Sequence, residues 1–156
     1  MALEKDPMDV RVKRLDFNDQ ADARRLFTIL ADVFEEHCAP LSDRYLHELL
    51  CRKDFWALAA FVGDDIVGGL TAHTLPMTRT ESAEIFIFDV AVQALHRNKG
   101  VGRRLLTALR KQASGAGIHE LFVAADNADE HALDFYRRQG GVPTPSIVFA
   151  WSMVTT

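Results

Sequence analysis

The sequence is poor in cysteine and in long apolar runs, and each shortage excludes a class of protein. Its two cysteines, Cys38 and Cys51, are too few for the disulfide framework that stabilises small secreted domains. No apolar run approaches the roughly 20 residues that a membrane-spanning helix needs. The opening stretch "MALEKDPMDV" has no basic segment followed by an apolar one, so we expect no secretory signal. These features predict a protein of the reducing cytoplasm.

An excess of positive charge, which a general nucleic-acid-binding protein would need, is also lacking. The 22 Asp and Glu residues outnumber the 18 Lys and Arg residues, and the formal net charge is −4. This balance is compatible with a cationic partner, although most cytosolic proteins are mildly acidic. Net charge therefore argues against nucleic acid as a ligand without identifying another.

The 156 residues are predicted to form a single domain over 1–156, with residues 1–9 as a mobile N-terminal extension. The apolar periodicities predict the element order βααβββαβαβ, an α/β fold with a mixed sheet and helices on its faces. Asn18 or Asp19 is expected to cap a first helix through residue 37, and Ser42 a second, shorter helix. The closing strand is predicted at "SIVFAWSM", residues 146–153.

The apolar segment "EIFIFDVAV", residues 84–92, is typical of a buried strand except for the carboxylate of Asp89. An ionised carboxylate in an apolar strand costs several kcal/mol unless it is paired or reaches solvent. Two interpretations stay open. Either the strand tips into a cleft, where Asp89 accepts a hydrogen bond from a nearby backbone N–H, or Asp89 binds a cationic ligand.

A basic turn with two glycines follows that strand and precedes a predicted helix. A helix N-terminus has free backbone N–H groups and a partial positive charge, and glycines let such a backbone approach a phosphate closely. The alternative is an ordinary turn with a solvated basic face. The turn has neither the P-loop spacing nor the G-x-G-x-x-G of a Rossmann site. Its residues are Arg97, Asn98, Lys99, Gly100, Val101 and Gly102.

The pattern R-x-x-G-x-G after a strand and before a Leu-rich helix resembles the acetyl-CoA signature of the GNAT superfamily of N-acetyltransferases. The later segment "ALDFYRRQGG", residues 132–141, is similar to that family's motif A-x-x-x-Y-x-x-x-G-F. The order of strands and helices matches as well, so the resemblance spans essentially the whole chain. From about residue 45 to residue 136 the sequence looks most like the class I aminoglycoside 3-N-acetyltransferases.

The resemblance implies transfer of an acetyl group from acetyl-CoA to the 3-amino group of an aminoglycoside, by direct attack in a ternary complex. It implies that the turn binds the pyrophosphate and that the main chain of Val90 and Val92 pairs with the pantetheine arm. In this family the strand bulges and diverges from its neighbour there, which leaves the Val90 N–H facing the thioester oxygen. Tyr136 would protonate the departing thiolate, since a tyrosine ordinarily titrates near pH 10. Its alternative is a core aromatic residue.

Three acidic residues become candidates for the amine substrate. Asp89 would be a base or an anchor for the ammonium group, and Asp126 and Asp129 would bind the substrate. Many family members have Asn at the position of Asp129, and the acid here favours a polycationic substrate. The alternative is that acids simply suit the first turn of a helix. Alternation places Glu84 on the opposite side of the strand from Asp89 unless a bulge intervenes.

Five further residues fit the pattern less directly. Glu35 and Glu36, near the end of the first long helix, could belong to a solvated helix end or add negative charge to a substrate rim. His47 and Cys51 have the i, i+4 spacing of metal ligands, but no second pair completes a site, so no metal is expected. Gly141 stands where the family usually has Phe.

Two other functions stay open at this stage. The acceptor could be another amine, such as a polyamine, a small metabolite or a protein N-terminus. The chain could also be a non-catalytic module that binds acyl-CoA. Dimerisation is common in such enzymes, and the apolar closing segment offers a surface for a homodimer.

Overall fold

The computed structural model describes residues 9–154, which form two compact units that meet in sequence between Ala124 and Ala125. The predicted N-terminal extension, residues 1–9, lies outside the described residues except for its last residue. The first unit contains β1 Val10–Arg14, α1 Gln20–Val33, α2 Asp43–Leu50, β2 Phe55–Val62, β3 Asp65–Pro76, β4 Ala83–Val92, a 3-10 turn Ala94–His96, α3 Val101–Gly115 and β5 Glu120–Val123.

The five strands form one mixed sheet in the order β1-β2-β3-β4-β5. Strands β1 to β4 are antiparallel, whereas β5 is parallel to β4 because α3 connects the two strands. The segment "GDD", residues 63–65, predicts a hairpin, and β2 and β3 form one. It turns at Gly63, whose φ of +60° is a conformation that glycine adopts without a side-chain clash.

Strand β2 is apolar along its whole length because helices cover both faces of the sheet. Alternate β2 residues enter two separate cores, one packed against α1 and α2 and the other against α3. We call these sides of the sheet the α1–α2 face and the α3 face. The α1–α2 face receives Phe55, Ala57, Ala59 and Phe61, and the α3 face receives Trp56, Leu58 and Ala60.

Two adjacent glycines of β3 allow close packing on either side of that strand. A Cβ atom on Gly69 would collide with the Leu26 side chain of α1 and would lie 2.6 Å from the Leu58 carbonyl oxygen. A Cβ atom on Gly68 would lie 2.7 Å from the Ala91 carbonyl oxygen of β4. The glycine pair therefore fixes how closely α1 and β4 approach the centre of the sheet.

The two predicted helix starts have different physical origins. Helix α2 begins as expected, with the Ser42 hydroxyl accepting a hydrogen bond of 3.1 Å from the Tyr45 N–H. At α1, Asp19 occupies the N-cap position but makes no capping bond, since its carboxylate instead accepts 2.6 Å from Lys13 Nζ.

The second unit contains α4, Glu130–Arg138, and no further helix or strand through residue 154. The predicted closing strand at 146–153 is therefore wrong for the described chain. A strand requires a neighbour to accept its backbone hydrogen bonds, and this segment pairs with none of the five described strands. Its large apolar side chains are 72% to 89% exposed, namely Ile147, Val148, Phe149, Trp151 and Met153.

The predicted α/β fold class is confirmed, with a mixed five-stranded sheet and four α-helices. Within residues 9–154, none of the helices combines the length and the apolar character needed to cross a bilayer.

Candidate active site

A β-bulge in β4 determines where Asp89 points. Asp89 is paired with Thr71 of β3 and Ile87 with the next residue, Ala72, so Phe88 is the extra residue and has no partner. Before the bulge, Ile87 faces the α3 core, and after it Ala91 packs in the α1–α2 core. Asp89 therefore lies on the α1–α2 face, two residues before Ala91.

The same bulge places Glu84 on the side of β4 that carries Asp89. Glu84 precedes Ile85, which is fully buried in the α3 core, so Glu84 itself points to the α1–α2 face. Without the extra residue, the two carboxylates would lie on opposite faces. The alternation rule gives the wrong side here because the bulge shifts the register by one residue.

Beyond the bulge, β4 has lost its neighbour on one side. The parallel pairing of β4 with β5 extends from Glu84 to Ile87 and ends there. On the other side, pairing with β3 continues through Val90 and Val92. After Ile87 the edge of β4 that faced β5 has no strand partner among the described residues, although the Val92 carbonyl accepts from Arg97 Nε. The bulge implied by the resemblance is present, and the pairing with β5 ends beside it.

Asp89 lies in an environment that disfavours its charge. Partial burial raises the pKa of the Asp89 carboxyl above its ordinary value, and the nearby negative charge of Glu36 raises it further. The Thr71 hydroxyl acts in the opposite direction, donating to Asp89 Oδ2 over a long 3.5 Å. A cation beside this carboxylate would relieve both the burial cost and the repulsion.

Glu36 is brought towards Asp89 by the way α1 ends. The Glu36 N–H donates to the Ala31 carbonyl and the Glu35 N–H to the Asp32 carbonyl, which is the Schellman pattern. The residue in the left-handed position is Glu35, with a φ of +55°. A side chain in that region is strained by about 1 kcal/mol, and such strain is concentrated at functional sites.

Two other helices end in the same way as α1 but have glycine at the left-handed position. Helices α3 and α4 end in the same hydrogen-bond pattern, and the left-handed residues there are Gly117 and Gly140, with φ of +76° and +88°. The exception at Glu35 is therefore local to the end of α1 that faces Asp89. From the sequence, Glu36 could belong to a solvated helix end or to a substrate rim. The missing glycine after α1 was the one local signal that this helix end differs from those of α3 and α4.

The turn between β4 and α3 presents backbone amides in a concave arrangement. Asn98 and Gly100 both have left-handed backbones, with φ of +59° and +81°. The first helical hydrogen bond runs from the Arg104 N–H to the Gly100 carbonyl, 3.1 Å. The amides of residues 101–103 therefore have no acceptor within α3, and alternating left-handed residues of this kind form anion-binding nests.

Space above the turn is open, which a phosphate ligand requires. A Cβ atom added to Gly100 would meet nothing within 4 Å, so its glycine is needed for φ rather than for packing against protein. Two basic side chains of the turn donate to backbone carbonyls that precede it. Arg97 Nε donates to the Val92 carbonyl at 3.2 Å, and Lys99 Nζ donates to the Leu95 carbonyl at 3.0 Å. Their positive charges stay beside the nest.

The remaining candidate residues belong to the second unit. Asp129 caps α4 by accepting 3.0 Å from the Ala132 N–H, and Asp126 accepts 2.8 Å from the Ala128 N–H. Both carboxylates thus have structural partners at the entrance to α4. Tyr136 lies within α4, with its ring centroid 5.2 Å from that of Phe135 in an edge-on contact.

His47 and Cys51 lie together on α2, outside this constellation. Among residues 9–154, no group of three or more His, Cys, Asp and Glu side chains is arranged to hold a metal ion.

Residues 23–141 match the acetyltransferase (GNAT) family. A solved aminoglycoside acetyltransferase, meta-AAC0020 from an uncultured soil metagenomic sample, shares 30% identity at a TM-score of 0.88 in its complex with trehalose. That alignment covers 94% of this chain and 97% of the other. The same protein has also been solved in complex with sisomicin.

A second aminoglycoside acetyltransferase, HMB0005 from an uncultured soil metagenomic sample, is also 30% identical, with a TM-score of 0.88. The alignment covers 94% of this chain and 100% of HMB0005. The aminoglycoside N-acetyltransferase AAC(6')-Iy shares the fold at a TM-score of 0.80 but only 14% identity. No curated protein sequence matches the chain.

Proposed function

The chain belongs to the acetyltransferase (GNAT) family, and we propose that it transfers the acetyl group of acetyl-CoA to the 3-amino group of an aminoglycoside. The observation that carries this proposal is the combination of an anion nest in the turn after β4 with two nearby carboxylates, Asp89 at the bulge of β4 and Glu36 at the end of α1, the second of which raises the pKa of the first. Coenzyme A is anionic and an aminoglycoside is polycationic, so the two charged regions suit the two substrates.

The pyrophosphate of acetyl-CoA would bind the open nest at residues 97–102. Free amides, the left-handed Gly100 and the adjacent side chains of Arg97 and Lys99 supply hydrogen bonds and charge. The edge of β4 without a strand partner would then receive the amide-bearing pantetheine arm as an additional strand, on the main chain of Val90 and Val92, where the arm would compete with Arg97 Nε for the Val92 carbonyl. In this arrangement the thioester would lie near the bulge.

Asp89 would hold the ammonium group of the acceptor and take its proton, directly or through water. An amine attacks a thioester only in its neutral form, so a carboxylate whose pKa is raised is a better base than an ordinary one. Glu36 would attract a second ammonium group of a polycation, because bound cations would offset the repulsion between the two carboxylates. The raised pKa and the strained Glu35 both support this assignment.

Tyr136 would protonate the departing thiolate, and the Val90 N–H would stabilise the carbonyl oxygen as negative charge develops on it. Support for Tyr136 comes from its position in the family motif, which is helical here as the motif requires. Asp126 and Asp129 would bind the substrate, as the resemblance implies, while keeping their bonds to backbone N–H groups at the start of α4. No covalent enzyme intermediate is required, because both substrates bind together.

Turnover of aminoglycosides is the direct test. Release of free thiol from acetyl-CoA should be measured with sisomicin, gentamicin and fortimicin, and the acetylated position should be determined by NMR. We expect turnover with at least one of them and acetylation at the 3-amino group. Binding of acetyl-CoA without any aminoglycoside turnover would overturn the acceptor assignment but not the family.

A second acceptor class follows from the same charges. A linear polyamine also offers several ammonium groups to Asp89 and Glu36, and a parallel thiol-release measurement with spermidine distinguishes it. A protein N-terminus is disfavoured, because a peptide would suit a more apolar groove than these acids provide. A cytoplasmic location, a homodimer and a role in antibiotic resistance stay predictions of this proposal.

A further inference from the structure

A Cys–His–Gln arrangement lies between the start of α1 and the end of α2, away from β4. The Cys51 Sγ atom is 3.5 Å from His47 Nε2, which is contact distance for a sulfur hydrogen bond. Both side chains are exposed, so small molecules in solution can reach the sulfur. The i, i+4 spacing that places them together had no role in the acetyltransferase site.

The imidazole is oriented by residues from another element. Gln20, the first residue of α1, places its side-chain Nε2 atom 2.9 Å from His47 Nδ1. The Phe17 ring meets the same imidazole edge-on, with 6.4 Å between ring centroids. The two contacts come from the loop before α1 and from α1 itself, and they hold the ring against Cys51.

The contact between His47 Nε2 and Cys51 Sγ favours the thiolate in either tautomer of the imidazole. A protonated Nε2 donates to the sulfur, and an unprotonated Nε2 accepts the thiol proton. The Gln20 amide has both a donor and an acceptor, so it can hold Nδ1 and orient the ring in both cases. The thiolate is the nucleophilic form of cysteine. The C-terminal end of α2 opposes this effect, but that helix has only eight residues.

We propose that Cys51 is a site of covalent modification by low-molecular-weight disulfides, activated by His47 and positioned by Gln20. The Cys51 thiolate attacks one sulfur of the disulfide and forms a mixed disulfide. The second sulfur leaves as a thiolate and takes a proton from solvent. Cys51 is oxidised and the departing thiol is reduced, so no further oxidant is needed.

The chain contains its own control. Cys38 is the other cysteine and is also exposed, but no imidazole contact is found for it among the described residues. The full-length protein should be treated with glutathione disulfide, quenched with acid and digested, and the adducts at both cysteines quantified by mass spectrometry from the same samples. We expect Cys51 to react about tenfold faster than Cys38.

Two variants separate activation from simple exposure. His47→Ala should lower the Cys51 rate to about the Cys38 rate without changing the latter, and Gln20→Leu should lower it in part. In urea both cysteines should react alike, because the arrangement exists only in the folded chain. Equal native rates, or a Cys51 rate unchanged in a folded variant, would overturn the proposal. If His47→Ala does not fold, Gln20→Leu decides.

Discussion

Replacing Asp89 with Asn separates a catalytic carboxylate from a structural one. The substitution keeps the shape of the side chain and removes only its charge. If Asp89 accepts the proton of the attacking amine, we expect kcat/KM for an aminoglycoside to fall by about 10²–10⁴-fold, the usual contribution of a general base. Affinity for acetyl-CoA should not change, because the proposed pyrophosphate site is the turn at residues 97–102 and does not include the Asp89 carboxylate.

The same substitution should not lower the free energy of unfolding, although it lowers activity. The only hydrogen bond found for the Asp89 side chain in the described structure is the long one from Thr71, 3.5 Å, which an Asn oxygen can also accept. The neutral side chain avoids both the burial cost and the repulsion from Glu36. A carboxylate with a structural role would cost about 1–3 kcal/mol on replacement, because its partner groups would be left unpaired. We therefore expect Asp89→Asn to be at least as stable as the unchanged protein at neutral pH.

The pH dependence of this difference has a definite sign. The pKa of Asp89 is raised in the folded protein, so the folded state holds its proton more tightly than the unfolded chain does. The charge therefore weakens the fold as the pH rises through the folded-state pKa, and it costs nothing below the ordinary value of 3.8. The stability advantage of Asp89→Asn should be largest at neutral pH and disappear in acid.

Urea unfolding at a series of pH values, together with thiol-release kinetics, measures both effects. Glu84→Gln is the matched control, because Glu84 lies on the same face of β4 but at its other end. This control should keep most of its activity. A variant Asp89→Asn that loses stability at neutral pH, or that keeps full activity, would contradict a catalytic role for Asp89.

Three further predictions test the surrounding structure. Glu35→Gly should stabilise the fold by about 0.5–1 kcal/mol in urea unfolding, because glycine adopts the left-handed conformation without strain; a loss of stability would show that Glu35 is not strained. Gly100→Glu should weaken acetyl-CoA binding at least about tenfold by calorimetry through charge repulsion at the nest, whereas Gly115→Glu, at the other end of α3, should not; equal affinities would place the pyrophosphate elsewhere. Gly69→Ala should destabilise the protein by about 1–3 kcal/mol by forcing Leu26 of α1 out of place, and a neutral result would mean that α1 can shift freely.

The sequence was sufficient for the elements that local chemistry determines. The cap at Ser42, the turn at Gly63 and the helix end at Gly140 each follow from residue types whose preferences are local. The predicted helices on the faces of a mixed sheet are also found. The face of the sheet on which a β4 side chain lies was harder to predict. The face that carries Glu84 depends on a bulge that no residue type specifies.

Other features could not be predicted because they depend on distant parts of the chain. The effect of Glu36 on Asp89 requires the end of α1 to lie near β4, although α2, β2 and β3 separate the two elements in sequence. The apolar run at 146–153 has the composition of a strand, but a strand also requires a partner edge, which composition does not supply. Asp129 differs, because its capping bond depends only on nearby residues. The sequence already offered a role at the start of the helix as the alternative to substrate binding, and the bond to the Ala132 N–H is found.

A crystal structure with coenzyme A and sisomicin would show where both substrates bind. We expect the pyrophosphate to lie on the amides of residues 97–102 and an ammonium nitrogen of the drug to lie within hydrogen-bond distance of the Asp89 carboxylate. A pyrophosphate bound away from that turn, or a drug whose ammonium groups avoid both Asp89 and Glu36, would contradict the proposed function.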